Sequence, residues 1–177
     1  MGETHEELVT GRLSLRRPVP GDIDAIHAIH RDPLACAHNP SDQLTARDEA
    51  EQLFHRWDAH WSSHGFGYWT VRADGVPGPA GFCGLKVMEF RDRMVLNLFY
   101  RFAPAHWGAG LGTEAATAVV EWAAAHRPDH SVIARVRPAN TASAKVAARA
   151  GLTRATHLDG PGHDGHDLIF TAGNSPG

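Results

Sequence analysis

The chain has 177 residues, of which 42% are hydrophobic and 21% charged, so it is long enough for one ordinary core and too apolar for a disordered tract. A net charge of −3 excludes nucleic-acid binding by bulk electrostatics. Apolar runs such as Ala115–Val120 fall far short of the roughly 20 residues of a membrane span, and Cys36 and Cys83 are too few for a disulfide framework or a four-cysteine zinc site.

The first seven residues, MGETHEE, are polar and acidic, unlike a secretory signal. A cytoplasmic protein with reduced thiols, and with no nucleic-acid or membrane partner, is therefore expected. Residues 1–64 hold six basic and eleven acidic side chains, whereas residues 100–155 hold seven basic and three acidic ones. An anion suits the second stretch and a cation the first, unless both simply face solvent.

Along the chain, Arg12–Arg17 alternates like a short strand that Pro18 and Pro20 close. Gly21–Arg31 has helical spacing with Asp22 near its start, and a capping box at Thr45-Ala46-Arg47-Asp48 opens a second helix to about Ser63. Tyr68–Arg72 and Ala80–Met88 read as strands around the turn DGVPGP. After the polar turn at Arg91-Asp92-Arg93, Val95–Phe102 is apolar enough to be a central strand. Leu111–His126 is a helix with Leu111, Ala115, Ala118, Val119, Trp122 and Ala125 on one face. Ser131–Val136 is a strand, Asn140 caps a helix to about Ala150, and Gly151 ends it. Leu152–His157 is a further strand, Asp159–Gly165 a loop and Asp167–Thr171 the last strand. This order predicts a mixed α/β domain over residues 1–177 with one sheet.

The segment Trp107-Gly108-Ala109-Gly110-Leu111-Gly112-Thr113-Glu114 joins the central strand to the amphipathic helix. Its glycines admit a ligand close to the backbone, and the helix start adds unpaired N–H groups and a partial positive charge. That is a phosphate cradle, or else a plain strand-to-helix turn. The third glycine comes one position early for a dinucleotide fingerprint, and no Lys follows as a P-loop requires.

The stretch YRFAPAHWGAGLGTEA resembles the acyl-CoA motif of the GNAT N-acetyltransferase superfamily, Gln/Arg-x-x-Gly-x-Gly/Ala, mapped onto Trp107, Gly110 and Gly112. Trp107 departs from the Gln or Arg of the motif. The form Trp-Gly-x-Gly followed by Thr-Glu-Ala is similar to the branch of ribosomal-protein N-terminal acetyltransferases. A second segment, Val136-Arg137-Pro138-Ala139-Asn140-Thr141-Ala142-Ser143 with Gly151-Leu152 following, resembles the family's V-x-P-x-N-x-x-S…G-F.

The resemblance implies a mostly antiparallel α/β sheet splayed between its fourth strand, Val95–Phe102, and its fifth, Ser131–Val136, with an acyl-CoA-binding core at about residues 95–155. It implies acetyl-CoA as cosubstrate and an amine of a small molecule or protein N-terminus as acceptor, with no metal. Gly108, Ala109, Gly110, Leu111, Gly112 and Thr113 would hold the pyrophosphate. Backbone at Tyr100, Arg101 and Phe102 would pair with pantetheine, and backbone N–H groups near Phe99–Arg101 would polarise the thioester. Asn140 and Ser143 would line the thiol end, and Lys145, Arg149 or Arg137 would meet the adenosine phosphate. Homodimers are frequent in this branch.

The family's usual acid is a Tyr at the position that Ala147 occupies, so Ser143 is the candidate acid, or else only a hydrogen-bond partner. The family's usual Glu in the fourth strand is Asn97 here, which leaves Glu89, Asp92, His38 and His157 as options for a base. A non-catalytic acyl-CoA sensor of the same fold is the alternative. Among thirteen histidines, His60 with His64 and the cluster His163-Asp164-Gly165-His166-Asp167 carry ligand types, yet no third ligand at a recognisable metal-site spacing completes the set. Trp57, Trp61, Tyr68 and Trp69 are either core or a wall of the acceptor pocket.

Overall fold

In the computed structural model, which describes residues 6–173, the elements are β1 (Glu7–Val9), β2 (Leu13–Arg16), α1 (Ile23–His30), α2 (Arg47–His64), β3 (Tyr68–Ala73), β4 (Gly81–Phe90), β5 (Arg93–Phe102), α3 (Leu111–His126), β6 (Val132–Val136), α4 (Thr141–Arg149), β7 (Thr153–Arg154), β8 (Gly160–Gly162) and β9 (Gly165–Ala172). The sheet order is β1-β2-β3-β4-β5-β6-β9-β7, with β8 paired to β9. Every pairing is antiparallel except β5 with β6.

Helices cover both faces. On one, α3 packs Leu111, Ala115, Ala116, Val119, Trp122 and Ala123 against the sheet, together with Ala147 of α4. On the other, α1 and α2 bury Ile23, Ile26, Ile29, Phe54 and Trp57 over Phe82. All four tryptophans and tyrosines singled out before the hairpin belong to this packing: Trp57, Trp61 and Trp69 are buried, and Tyr68 packs against the α1–α2 cluster, stacked on Phe99 with ring centroids 4.6 Å apart.

Several boundaries differ from the sequence reading. β1 lies outside it, since Glu7, Leu8 and Val9 carry no apolar alternation and only Leu8 packs inward. The carboxylate that closes the α2 capping box is Glu49, not Asp48: its Oε1 accepts from Ala46 N at 2.9 Å and from Thr45 Oγ1 at 2.7 Å. Leu152–His157 is not one strand. Only Thr153–Arg154 pairs with β9, and Thr156–Leu158 turns as a 3₁₀ helix that buries Leu158. The predicted loop Asp159–Gly165 contains β8, which folds back on β9 as a small hairpin. At the β4–β5 turn Arg91 and Asp92 both have positive φ, the two-residue geometry that fits strand twist.

The feature that creates the site is the join of β5 to β6. Only Leu96↔Val132 and Asn97↔Ile133 pair in parallel, with Leu96 N–H donating to Ser131 O at 2.9 Å. Beyond Asn97 the strands diverge, although β5 stays paired with β4 along its whole length. The sheet is therefore splayed between the two strands for which the family resemblance implied it.

Candidate active site

The V between β5 and β6 opens into a cavity of about 720 Å³. Its wall includes Leu98–Phe102 of β5, Trp107, Gly108 and Gly110–Thr113 of the glycine loop, Ala134 and Arg135 of β6, and Asn140, Ser143, Lys145 and Arg149 at α4.

The open edge of β5 follows from strand alternation. Leu96 N–H points to β6 and Ala103 N–H points to Ala80 O of the β4 side, so Leu98, Tyr100 and Phe102 present their N–H and C=O groups to the V. Arg101 is offset by one. Its backbone faces β4, and its buried guanidinium reaches the α1–α2 side, where Nη2 donates to Asp42 Oδ2 at 3.0 Å and the group lies over the Phe99 ring. Trp107, which replaces the motif's Gln or Arg, is 54% exposed and donates its indole N–H to Phe102 O at 3.0 Å.

The glycine loop ends in an uncapped helix. Gly108 and Gly110 have φ of +86° and +78°, the left-handed region that favours glycine. Gly110 is the N-cap of α3 and has no side chain to offer Leu111, Gly112 and Thr113, whereas α4 is capped by Asn140 Oδ1 accepting from Ser143 N at 3.1 Å. Three donors are thus aimed at the cavity with the positive end of the helix behind them.

Gly112 is helical, and a Cβ there would touch Phe102 and Val146 only at 3.8–3.9 Å. Protein packing alone does not require glycine at this position; the missing side chain leaves the cradle open. A brace holds the loop from behind: Arg12 Nη1 donates to Ala109 O at 2.8 Å, Arg12 Nε to Glu114 Oε1 at 2.8 Å, and Thr10 Oγ1 also donates to Glu114. These partners stand about a hundred residues apart in the chain, and nothing in their local spacing announces them.

At the other end of the α4 cap, Tyr100 Oη lies 2.7 Å from both Ser143 O and Ser143 Oγ. The strand residue expected to act through its backbone therefore also brings its side chain to the candidate acid. Burial pushes the Tyr100 phenol up to about 12, so it stays protonated.

Lys145 and Arg149 line the cavity, but Arg137 turns to the β8–β9 hairpin and donates to His166 O at 2.8 Å. Of the options for a base, His38 lines the cavity; Glu89, Asp92 and His157 do not. The carboxylates in its wall are Asp42, Asp164 and Asp167. Asp42 pairs with Arg101, and Asp164 accepts from Ser41 N at 3.0 Å and Oγ at 2.7 Å. Of the acidic residues of 1–64, Asp42 reaches this wall, while Asp22 pairs with Arg16, Asp58 with Arg17, and Asp24 and Glu51 with Arg47.

Among the described residues no three of His, Cys, Asp and Glu converge as a metal site. His60 commits both ring nitrogens: Nε2 accepts from Val87 N at 3.0 Å, and Nδ1 donates to Phe66 O at 2.8 Å.

Comparison with known proteins agrees with this geometry. The acetyltransferase of Agrobacterium tumefaciens str. C58 superposes with a TM-score of 0.78 at 23% identity over 98% of each chain. The ribosomal L7/L12 alpha-N-protein acetyltransferase RimL, in its complex with coenzyme A, superposes with a TM-score of 0.71 at 18% identity, covering 93% of this chain and 96% of its own. Both likenesses show the fold. The uncharacterized protein YkkB of Bacillus subtilis strain 168 is 29% identical over 89 residues, 50% of this chain, so the match spans about half (52%) of that relative. Residues 12–153 match the acetyltransferase (GNAT) domain family. The splayed sheet, the glycine loop and this match over most of the length lead to one conclusion: the chain belongs to the GNAT acetyltransferase family.

Proposed function

We propose that the protein transfers the acetyl group of acetyl-CoA directly to a primary amine, either of a small molecule or of a protein N-terminus, in the cytoplasm. The observation that carries this reading is the uncapped N-terminus of α3, opening on a cavity that runs along the free edge of β5 to Ser143. Acetyl-CoA supplies a thioester whose C–S bond breaks as the neutral amine nitrogen bonds to the acetyl carbon, the proton lost by that nitrogen passing to solvent water.

The chain's own groups act around that exchange. The N–H groups of Leu111 to Thr113 bind the pyrophosphate. The free N–H groups of Leu98 and Tyr100 take the extended pantetheine arm as a strand would be taken and stabilise charge on the thioester oxygen. Ser143 passes a proton to the leaving sulfur. Tyr100 has one hydroxyl proton and two oxygens of Ser143 within reach. When that proton turns from Ser143 O to Oγ, the Ser143 hydroxyl proton is freed toward the cavity.

Calorimetry of acetyl-CoA and CoA on ligand-free protein tests the reading; saturable micromolar binding is expected, and no binding up to millimolar concentration overturns it. Ser143→Ala and Tyr100→Phe are each expected to lower turnover by roughly 10-fold, less than the usual effect of a general acid because a thiolate leaves readily. CoA affinity should change less than turnover. Unchanged turnover in both variants, measured as released CoA thiol, removes the pair from the mechanism.

A non-catalytic acyl-CoA sensor is the second reading. Asn97, which cannot accept a proton where a carboxylate would, favours it. Thiol release on addition of amines to the loaded protein separates the two.

A further inference from the structure

We propose that the acceptor carries a carboxylate beside its amine and that Arg135 of β6 reads it. This rests on the acetyl-transfer reading above and narrows its acceptor to amino carboxylates.

Strand alternation puts Asn97 and Arg101 of β5 and Arg135 of β6 on the α1–α2 face of the sheet, opposite the face that carries α3 and α4. Arg135 is two residues beyond Ile133, the last residue of β6 paired with β5. Its side chain thus stands where the V begins to open, lines the cavity, and is half-buried.

The charges in this end of the cavity can be followed one by one. Arg101 is committed to Asp42. Arg137 donates to His166 O and lies 4.0 Å from Asp167. Asp164 is held by Ser41. Arg135 differs: its Nε donates to Asn97 Oδ1 at 3.0 Å, and among the described residues its two terminal nitrogens have no hydrogen-bond or ion-pair partner.

Asn97 is neutral, so it orients the guanidinium without cancelling its charge. A half-buried cation without a counter-ion is costly, and the cost is removed when a ligand brings the anion. With Nε anchored, the edge that remains is the Nη1–Nη2 fork, whose geometry matches a carboxylate bidentately. Asp167 lines the same cavity from the neighbouring strand, β9. Asp167 is paired with Arg137, so of these charges the Arg135 guanidinium is the one left to meet the acceptor's carboxylate.

The test compares L-α-amino acids with their carboxamides as acceptors for the acetyl-CoA-saturated protein, by CoA thiol release above the pKa of both amines. Carboxylates are expected to give a kcat/KM about 10- to 100-fold higher, the range for charge-assisted hydrogen bonds. Arg135→Gln should reduce that ratio to within about 3-fold, mainly through acceptor KM, and Arg135→Lys, which keeps charge without the fork, should fall between. CoA binding by each variant reports that the fold is intact.

Equal or better use of the carboxamides, or an undiminished preference in a folded Arg135→Gln variant, overturns the inference. If no acceptor is turned over, the CoA-loaded protein is titrated calorimetrically with both panels. Carboxylate-selective binding lost in Arg135→Gln supports the inference, and binding of neither panel overturns it. Failure to bind CoA instead overturns the acetyl-transfer reading itself.

Discussion

Aspartate at position 112 is expected to lower CoA affinity by more than about 100-fold and to leave the fold intact. Gly112 lies in the first turn of α3, where an acidic side chain stabilises a helix by about 0.3–1 kcal/mol. Its φ is ordinary, and a Cβ there meets Phe102 and Val146 only at normal contact distance. The substitution should therefore not strain the apo protein, unlike a change at Gly110, whose φ of +78° resists any side chain.

The new carboxylate competes with pyrophosphate for the same three N–H groups. Two like unit charges about 4 Å apart repel by roughly 4 kcal/mol at an effective dielectric constant of about 20, and each 1.4 kcal/mol is tenfold in affinity. Gly112→Ala, which adds the Cβ without the charge, should cost less than about 10-fold on the same scale. Melting curves and calorimetry on both variants separate charge from shape. A Gly112→Asp protein that binds CoA normally would show that α3 does not hold the pyrophosphate.

The second large effect concerns acid. His30 is buried in α1 against Trp57, Phe82 and Phe99, and its Nδ1 donates to Ile26 O at 2.9 Å. Burial first, and then the nearby Arg101 charge, lower its pKa from 6.5 to about 4. Above pH 6.5 the imidazole is neutral in both folded and unfolded chains. As pH falls from 6.5 toward 4, the unfolded chain takes up a proton that the folded one refuses, so stability is lost through that window. At about 1.4 kcal/mol per unit, the loss approaches 3 kcal/mol by pH 4. His30→Gln keeps a donor for Ile26 O and removes the titration, so its urea-unfolding stability should fall less steeply over this range. Parallel slopes for the two proteins would assign the acid sensitivity to other groups.

How far the sequence carried the structure depends on the range of the signal. α3 was legible because its apolar period and the glycines before it are local. Asn140 as a cap was legible for the same reason. The splay came only through resemblance, since no pattern within Val95–Phe102 tells that pairing with β6 stops at Asn97.

β8 was hidden because Gly-Pro-Gly has the composition of a loop and pairs only through its neighbour β9. The contacts that give the site its character were not legible at all: Tyr100 to Ser143, Arg12 to Ala109, and Arg135 to Asn97 each cross between elements whose adjacency is decided by the whole sheet. The residue types were visible, but not which strand edge each would share.

The two-pair join between β5 and β6 also leaves the two parts of the sheet tied together by few backbone pairings. The sheet thereby divides after Asn97 into two plates, one from β1 to β5 and the other carrying β6, β9 and β7. On the acetyl-transfer reading, a ligand lying in the V would bond to one plate along β5 and to the other through α4, and so serve as the missing strand between them. Amide hydrogen exchange in β6 and β9 should then slow as the V fills, although few of those amides touch the ligand. On that reading the substrate would for a moment be part of the architecture, and its departure is expected to loosen the plate that carries β6.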